Sequence, residues 1–246
     1  MSRYWLTPNI DDWGTFKEEV KAICELYTEA QALFQRGTHL VCVDEMTGIQ
    51  ALERKYETKP TTKGLVERRE FEYIRHGTTC LIANWHVAQG KIIAHTLTPT
   101  RTELDFAAHI RKTIATAPDD KWIFVLDQLN THMSEALVKL TADLCDIKDD
   151  LGIKEQTGIL KSMASRKAFL QSEHHPIRFV YSPKHCSWMN QIEIWFSILV
   201  RRLLKRESFK SVDELNRRID GFINYYNQTM SKPFKWTYDG TALKAA

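Results

Sequence analysis

Two short apolar runs, each rich in β-branched residues and each closed by an aspartate, limit what this chain can become: HLVCVD at 39–44 and WIFVLD at 122–127. Runs of that length without polar alternation read as central strands buried on both faces. An aspartate ending such a strand is held rigidly at the carboxyl edge of the sheet, where ligands gather in open α/β folds. Two such carboxylates brought close repel each other, and a divalent cation relieves the cost. Mg²⁺ suits the role, because it takes oxygen ligands and keeps positions for water and substrate phosphate. A third carboxylate would complete a two-metal site, with ions about 3.5–4 Å apart.

Glu193 is the candidate for the third carboxylate. It sits on a predicted helix running from a Ser187 cap to about Lys205, whose apolar stripe is Ile192, Trp195/Phe196, Leu199 and Leu203. An acid beside that stripe is held near the sheet. Glu45 follows Asp44 directly; strand alternation turns it to the opposite face, so it is not expected to be a ligand.

The remaining pattern supplies the frame. Trp13, Phe16, Val20, Ile23, Tyr27 and Ala30 recur at helical steps between Asp11 and about Gln35. Residues 53–77 read as charged and turn-like. TTCLIANWHV and KIIAHTL, joined through Gln89 and Gly90, read as a hairpin. A helix from about Thr102 to Ala117 stops before Pro118, and Ser134 caps another running to about Asp146. Residues 147–174 look like an insertion with helical propensity in their second half. IRFVY at 177–181 is a further strand, Ser211 with Glu214 opens a last helix, and the final dozen residues read as a loose tail. The sum is a mixed α/β sheet flanked by helices.

Composition adds exclusions. Among 246 residues, 34 are Lys or Arg and 31 are Asp or Glu; the net charge of +3 does not imply nucleic acid by itself, although much of the basic excess lies in the C-terminal third. No apolar run approaches the roughly 20 residues of a membrane helix, and the first residues lack the blocks of a signal peptide. A cytoplasmic protein is expected. The five cysteines, Cys24, Cys42, Cys80, Cys145 and Cys186, form no CxxC pair, so neither a disulfide framework nor a zinc ribbon is indicated. His174, His175, His185 and Cys186 offer four zinc ligands in number, but their spacing fits no zinc motif.

Three segments carry a resemblance. VCVDE at 41–45, LDQLNTH at 126–132 and SPKHCSWMNQIEIW at 182–195 resemble the three catalytic blocks of DDE transposases of the mariner-like superfamily, in the insertion sequence 630 branch; FEYIRHGTTCLIA at 71–83 resembles the stretch between the first two. The likeness runs from about Tyr4 to Tyr226. It implies an RNase H-like fold with a mixed five-stranded sheet flanked by helices. It also implies that Asp44, Asp127 and Glu193 are the catalytic acids and the ligands of two Mg²⁺ (or Mn²⁺) ions. Such enzymes hydrolyse phosphodiesters at the ends of a DNA element, and the freed 3′-hydroxyl attacks target DNA. Asn130 and His132 match the polar residues after the second acid and are expected at the DNA, His132 at the scissile phosphate or a metal-bound water; a structural role fixing the loop after Asp127 competes for His132. Lys184, His185, Trp188 and Asn190 are expected along the DNA channel, and Arg201, Arg202 and Lys205 at phosphates; core packing competes for Trp188, and charge complementation of a helix C-terminus for the basic cluster.

The implied organisation is a linker and helix at 1–37, a catalytic domain at 38–228 with the insertion at about 147–174, and a tail at 229–246. Counting 128 through 192, 65 residues separate Asp127 from Glu193, longer than usual in the branch, and the insertion accounts for it. The family's helix-turn-helix DNA-binding region has no counterpart here, so recognition of element ends is expected from an upstream reading frame or a missing fragment. Relatives work as dimers on paired ends, which implies a homodimer. Competing readings are an inactive remnant or accessory DNA-binding protein, and another RNase H-like nuclease.

Overall fold

The computed structural model describes residues 12–238. At its centre lies a five-stranded sheet in the order β3-β2-β1-β4-β5. β1 spans Thr38–Arg54, β2 Tyr73–His86, β3 Lys91–Thr98, β4 Lys121–Leu126 and β5 Ile177–Tyr181. The first three strands pair antiparallel, as hairpin connections allow, whereas β4 runs parallel to β1, and β5 to β4. Among the described residues six α-helices flank them: α1 (Trp13–Gln35), α2 (Glu103–Ile114), α3 (Glu135–Leu144), α4 (Met163–Leu170), α5 (Ile192–Leu199) and α6 (Val212–Thr229).

Strand alternation divides the apolar residues into two cores. Leu40, Cys42, Ile123 and Val125 face the core shared with α1, α5 and α6. Val41, Val43, Phe124 and Leu126 face the other, shared with α2, α3 and the segment 160–170. Helix starts follow local chemistry: Ser134 Oγ accepts from the Leu137 amide, and Thr102 with Asp105 forms a reciprocal capping box.

Several expectations need correction. β1 does not end at Asp44. It continues to Arg54 because β2 pairs with it beyond that point, from Asp44 opposite Ala83 to Arg54 opposite Tyr73. What stops near Asp44 is its parallel neighbour, for the last β1–β4 pair is Cys42 with Val125. The turn-like segment therefore shrinks to 55–72, an excursion closed by bridges from Lys59 to Arg68 and from Thr62 to Leu65. Ser187 does not cap α5: it opens a 3₁₀ turn to Met189, and Gln191 occupies the N-cap position of α5 without a side-chain bond. Past Leu199 the helix widens into a π turn over Val200–Leu204.

The segment 147–174 leaves the sheet intact. It buries Leu160 and Leu170 against α2 and α3, and β5 then pairs with β4 from Ile177 through Tyr181. The described part of the tail is docked rather than loose, because Phe234 stacks on Trp85 with ring centroids 4.3 Å apart and Trp236 meets Tyr27 edge-on at 4.8 Å. Its backbone passes so close to the β2–β3 turn that a Cβ on Gly90, at φ +66°, would lie 2.1 Å from the Lys232 carbonyl carbon. The start of the 1–37 segment and the end of the tail lie outside the described residues. Among the described residues no helix is long and apolar enough to cross a membrane.

Candidate active site

The crevice forms where β4 ends beside a β1 that carries on. Asp44 shares its strand face with Cys42, and Asp127 follows β4 in phase with Ile123 and Val125, so both acids belong to the face covered by α5. Glu193 lies half-buried in the first turn of α5.

The electrostatics tie the three together. Asp44 is 8% exposed. Burial, with the negative charge of Asp127 second, pushes its pKa up to about 7. Burial and the same Asp127 charge also raise Glu193. Asp127 moves the other way: burial pulls it up, but the hydrogen bond and positive charge of His132 outweigh that and hold it below the usual carboxylate range. The Leu129 amide donates a further bond to Asp127 Oδ1, at 3.0 Å.

His132 is 0% exposed and sits between two carboxylates. Its Nδ1 lies 2.8 Å from Asp127 Oδ1 and its Nε2 3.0 Å from Glu45 Oε2. Burial alone would lower its pKa, yet the bonds to Asp127 and Glu45 reverse the sign and lift it to about 10. An imidazole whose two nitrogens both face carboxylates is a cation donating both protons. The short 3₁₀ turn at Asn130–Met133 presents it, anchored by the Tyr181 hydroxyl, which donates to the His132 carbonyl at 2.8 Å.

Glu45 obeys the alternation, facing away from Asp44 toward the α2/α3 core, and there the sequence reading missed its role. Its side chain is 1% exposed and is the second partner of His132. Asp44, Glu45 and His132 each place a ligand atom within 4.8 Å of the others, the one such group among the described residues. Held between Asp127 and Glu45, His132 is a strut that joins the two carboxylates. The residues weighed for zinc do not gather: His174 and His175 line a groove with Trp122 and Lys121, while Cys186 is buried among the α1/α5 residues.

Two predicted DNA contacts are withdrawn. His132 is enclosed by its carboxylates and by Phe106, whose ring centroid is 4.4 Å away. Asn190 is wholly buried, with Nδ2 donating to the Val43 carbonyl at 2.9 Å. Asn130, Lys184, His185, Arg201, Arg202 and Lys205 are exposed. Trp188 is 48% exposed and meets Tyr238 edge-on, so it is no core residue. Arg101 also went unremarked in the sequence, although its charge helps hold Asp127 ionised; an arginine in a loop carries no local signal of what it faces.

The donors suit a hard divalent cation. Two carboxylates held in one crevice at the cost of burial, one of them lifted toward neutrality by the other, regain their charge when a cation screens them. Among the described residues, no cysteine belongs to the group of ligand atoms at this crevice, which would otherwise favour a softer metal.

The sequence profile of the DDE superfamily endonucleases matches residues 39–216. The fold is similar to the Mos1 mariner transposase in its paired-end complex with Mn, at TM-score 0.53 and 12% identity over 91% of this chain and 59% of that one. It is also similar to the isolated catalytic domain of Mos1 mariner transposase, at TM-score 0.51 and 11% identity over 89% of this chain and 85% of that one. The chain thus spans 59% of the length of the transposase in that complex. No curated protein sequence matches.

Proposed function

This chain belongs to the DDE endonuclease superfamily, and from that premise we propose that it is the catalytic domain of a mariner-like DNA transposase of the insertion sequence 630 branch. Its catalytic acids are Asp44, Asp127 and Glu193. The observation that carries this reading is the reach of a single charge: Asp127 raises both Asp44 on β1 and Glu193 on α5. Strand phase supports it as well, since Asp44 and Asp127 lie on the sheet face that α5, with Glu193 in its first turn, covers.

The proposed cofactors are two Mg²⁺ or Mn²⁺ ions held by these acids. When bound, such ions activate the attacking oxygen and stabilise the leaving one in phosphodiester cleavage. The protein's own residues do the rest. His132, fixed by Glu45, keeps Asp127 ionised and aimed into the crevice. The ring cannot rotate without breaking a buried hydrogen bond. The backbone amide of Glu45 donates to Asp44 Oδ1 at 2.8 Å and sets that carboxylate's orientation. Exposed Lys184, His185, Trp188 and Asn130 line the approach, and Arg201, Arg202 and Lys205 add phosphate contacts that weaken with salt.

The substrate in this reading is double-stranded DNA, first the transposon ends and then the target. The working unit is a homodimer with a helix-turn-helix polypeptide supplied upstream, acting in the cytoplasm at the nucleoid. The domain boundaries at 38 and 228 belong to the same proposal. Nicking of an end-containing duplex with Mg²⁺ or Mn²⁺ tests it. Cleavage that disappears in Asp127→Asn supports the assignment, and an unchanged rate in that variant refutes it. Equal cleavage of RNA–DNA hybrid and duplex would point instead to another RNase H-like nuclease.

A further inference from the structure

The start of α5 lacks the device that fixes most helix starts. Gln191 occupies its N-cap without a side-chain hydrogen bond to the helix's own amides. Three consecutive residues just before it are instead tied to three separate elements. The Met189 carbonyl accepts from the Tyr27 hydroxyl of α1 at 2.7 Å. Asn190 Nδ2 donates to the Val43 carbonyl of β1 at 2.9 Å. Gln191 Oε1 accepts from Trp85 Nε1 of β2 at 3.3 Å. All three ties are buried, where each partner would be costly to leave unpaired.

The middle tie joins the two acid-bearing elements. Val43 immediately precedes Asp44 and lies one residue past the last β1–β4 pair, so the Asn190 amide holds β1 where its parallel neighbour has departed. Three residues on from Asn190, in the first turn of α5, stands Glu193, whose amide bonds the Asn190 carbonyl at 3.1 Å. Asn190 therefore contacts, on one side, the backbone that carries Asp44 and, on the other, the backbone that carries Glu193.

We infer that Asn190 is a positioning residue that sets the separation of Asp44 and Glu193, with Tyr27 bracing the same turn from α1. The inference rests on the proposed acid cluster, but it assigns work to residues that touch neither metal nor DNA. Carboxylates held at a fixed separation bind a cation without reorganising; released from it, they must be drawn together at each binding event.

The test is a Mn²⁺ titration of the purified full chain, without DNA, following the rise in melting temperature. Asn190→Ala is expected to move the Mn²⁺ midpoint up by about tenfold or more, in the range of changes to residues that support metal ligands. Tyr27→Phe removes a single hydroxyl and is expected to shift it in the same direction by less. Should Asn190→Ala fail to fold, Asn190→Ser and Tyr27→Phe carry the comparison. Variants that melt earlier without metal yet titrate with the wild-type midpoint would show Asn190 to be a packing residue and overturn the inference alone. A wild-type chain that takes up no Mn²⁺ would overturn the acid-cluster reading and this inference together.

Discussion

His132 and His109 are buried to almost the same degree, 0% and 1% exposed, and carry opposite charge states. His109, on α2, faces Thr96 Oγ1 at 2.8 Å, with Lys112 and His95 nearby. Burial, reinforced by those neighbours, lowers its pKa to about 3, so it is neutral. His86, at the far end of the sheet, places Nε2 3.0 Å from His39 Nδ1, with Asp120 on the other nitrogen of His39 and Phe34 against the His86 ring; burial and His39 lower it to about 4. Among the described residues, only in the crevice does a buried imidazole meet two carboxylates and hold its proton. Burial sets the cost of charge, and the partners decide whether it is met. The buried imidazolium stands at the carboxyl end of β4.

The largest contrast should appear on deleting each ring. His132→Leu leaves Glu45 and Asp127 without their shared cation, and loss of one partner from a buried ion pair costs about 3–5 kcal/mol. Urea unfolding of the metal-free chain reads it directly; a loss below roughly 1 kcal/mol would mean that the ring is not a charged bridge.

The second effect is a pH dependence from the neutral pair. Folded pKa values below the unfolded value of 6.5 mean that the unfolded chain binds more protons in acid. Their stabilisation is therefore complete above pH 6.5 and declines as pH falls toward about 4 for His86 and about 3 for His109. Within its window each site loses stability at up to about 1.4 kcal/mol per pH unit. Replacing His86 and His109 together by Gln should flatten the acid limb of a melting-temperature profile between pH 6.5 and 4; an unaltered limb would refute the neutral assignment.

The smallest is His109→Leu at pH 7.5. A single neutral hydrogen bond to Thr96 is lost, at about 1 kcal/mol. A cost equal to that of His132→Leu would erase the distinction between the two rings.

Much of this was legible in the sequence because it is carried by short-range pattern. The apolar runs through Leu40–Val43 and Ile123–Leu126 announced the central strands, and the Gln89–Gly90 turn announced the hairpin. Asp44 and Asp127 could be placed at the crevice because strand phase is fixed by neighbouring residues. The length of β1 was hidden, since Glu45–Arg54 is a strand only through pairing with β2, a partner distant in sequence. For the same reason the Glu45–His132 pair and the Asn190–Val43 tie were invisible: 87 and 147 positions separate their members. Asn190 was read as a DNA contact because polar residues in a catalytic block suggest exposure, whereas the fold uses its amide to complete a strand end.

The account stands on a shared metal site, and calorimetric titration of Mn²⁺ into the wild-type chain and into Asp44→Asn, Asp127→Asn and Glu193→Gln tests it most directly. Binding by the wild type that is lost or severely weakened in all three variants is the predicted result. Wild-type affinity retained in any one of them would remove that residue from the site and contradict the account.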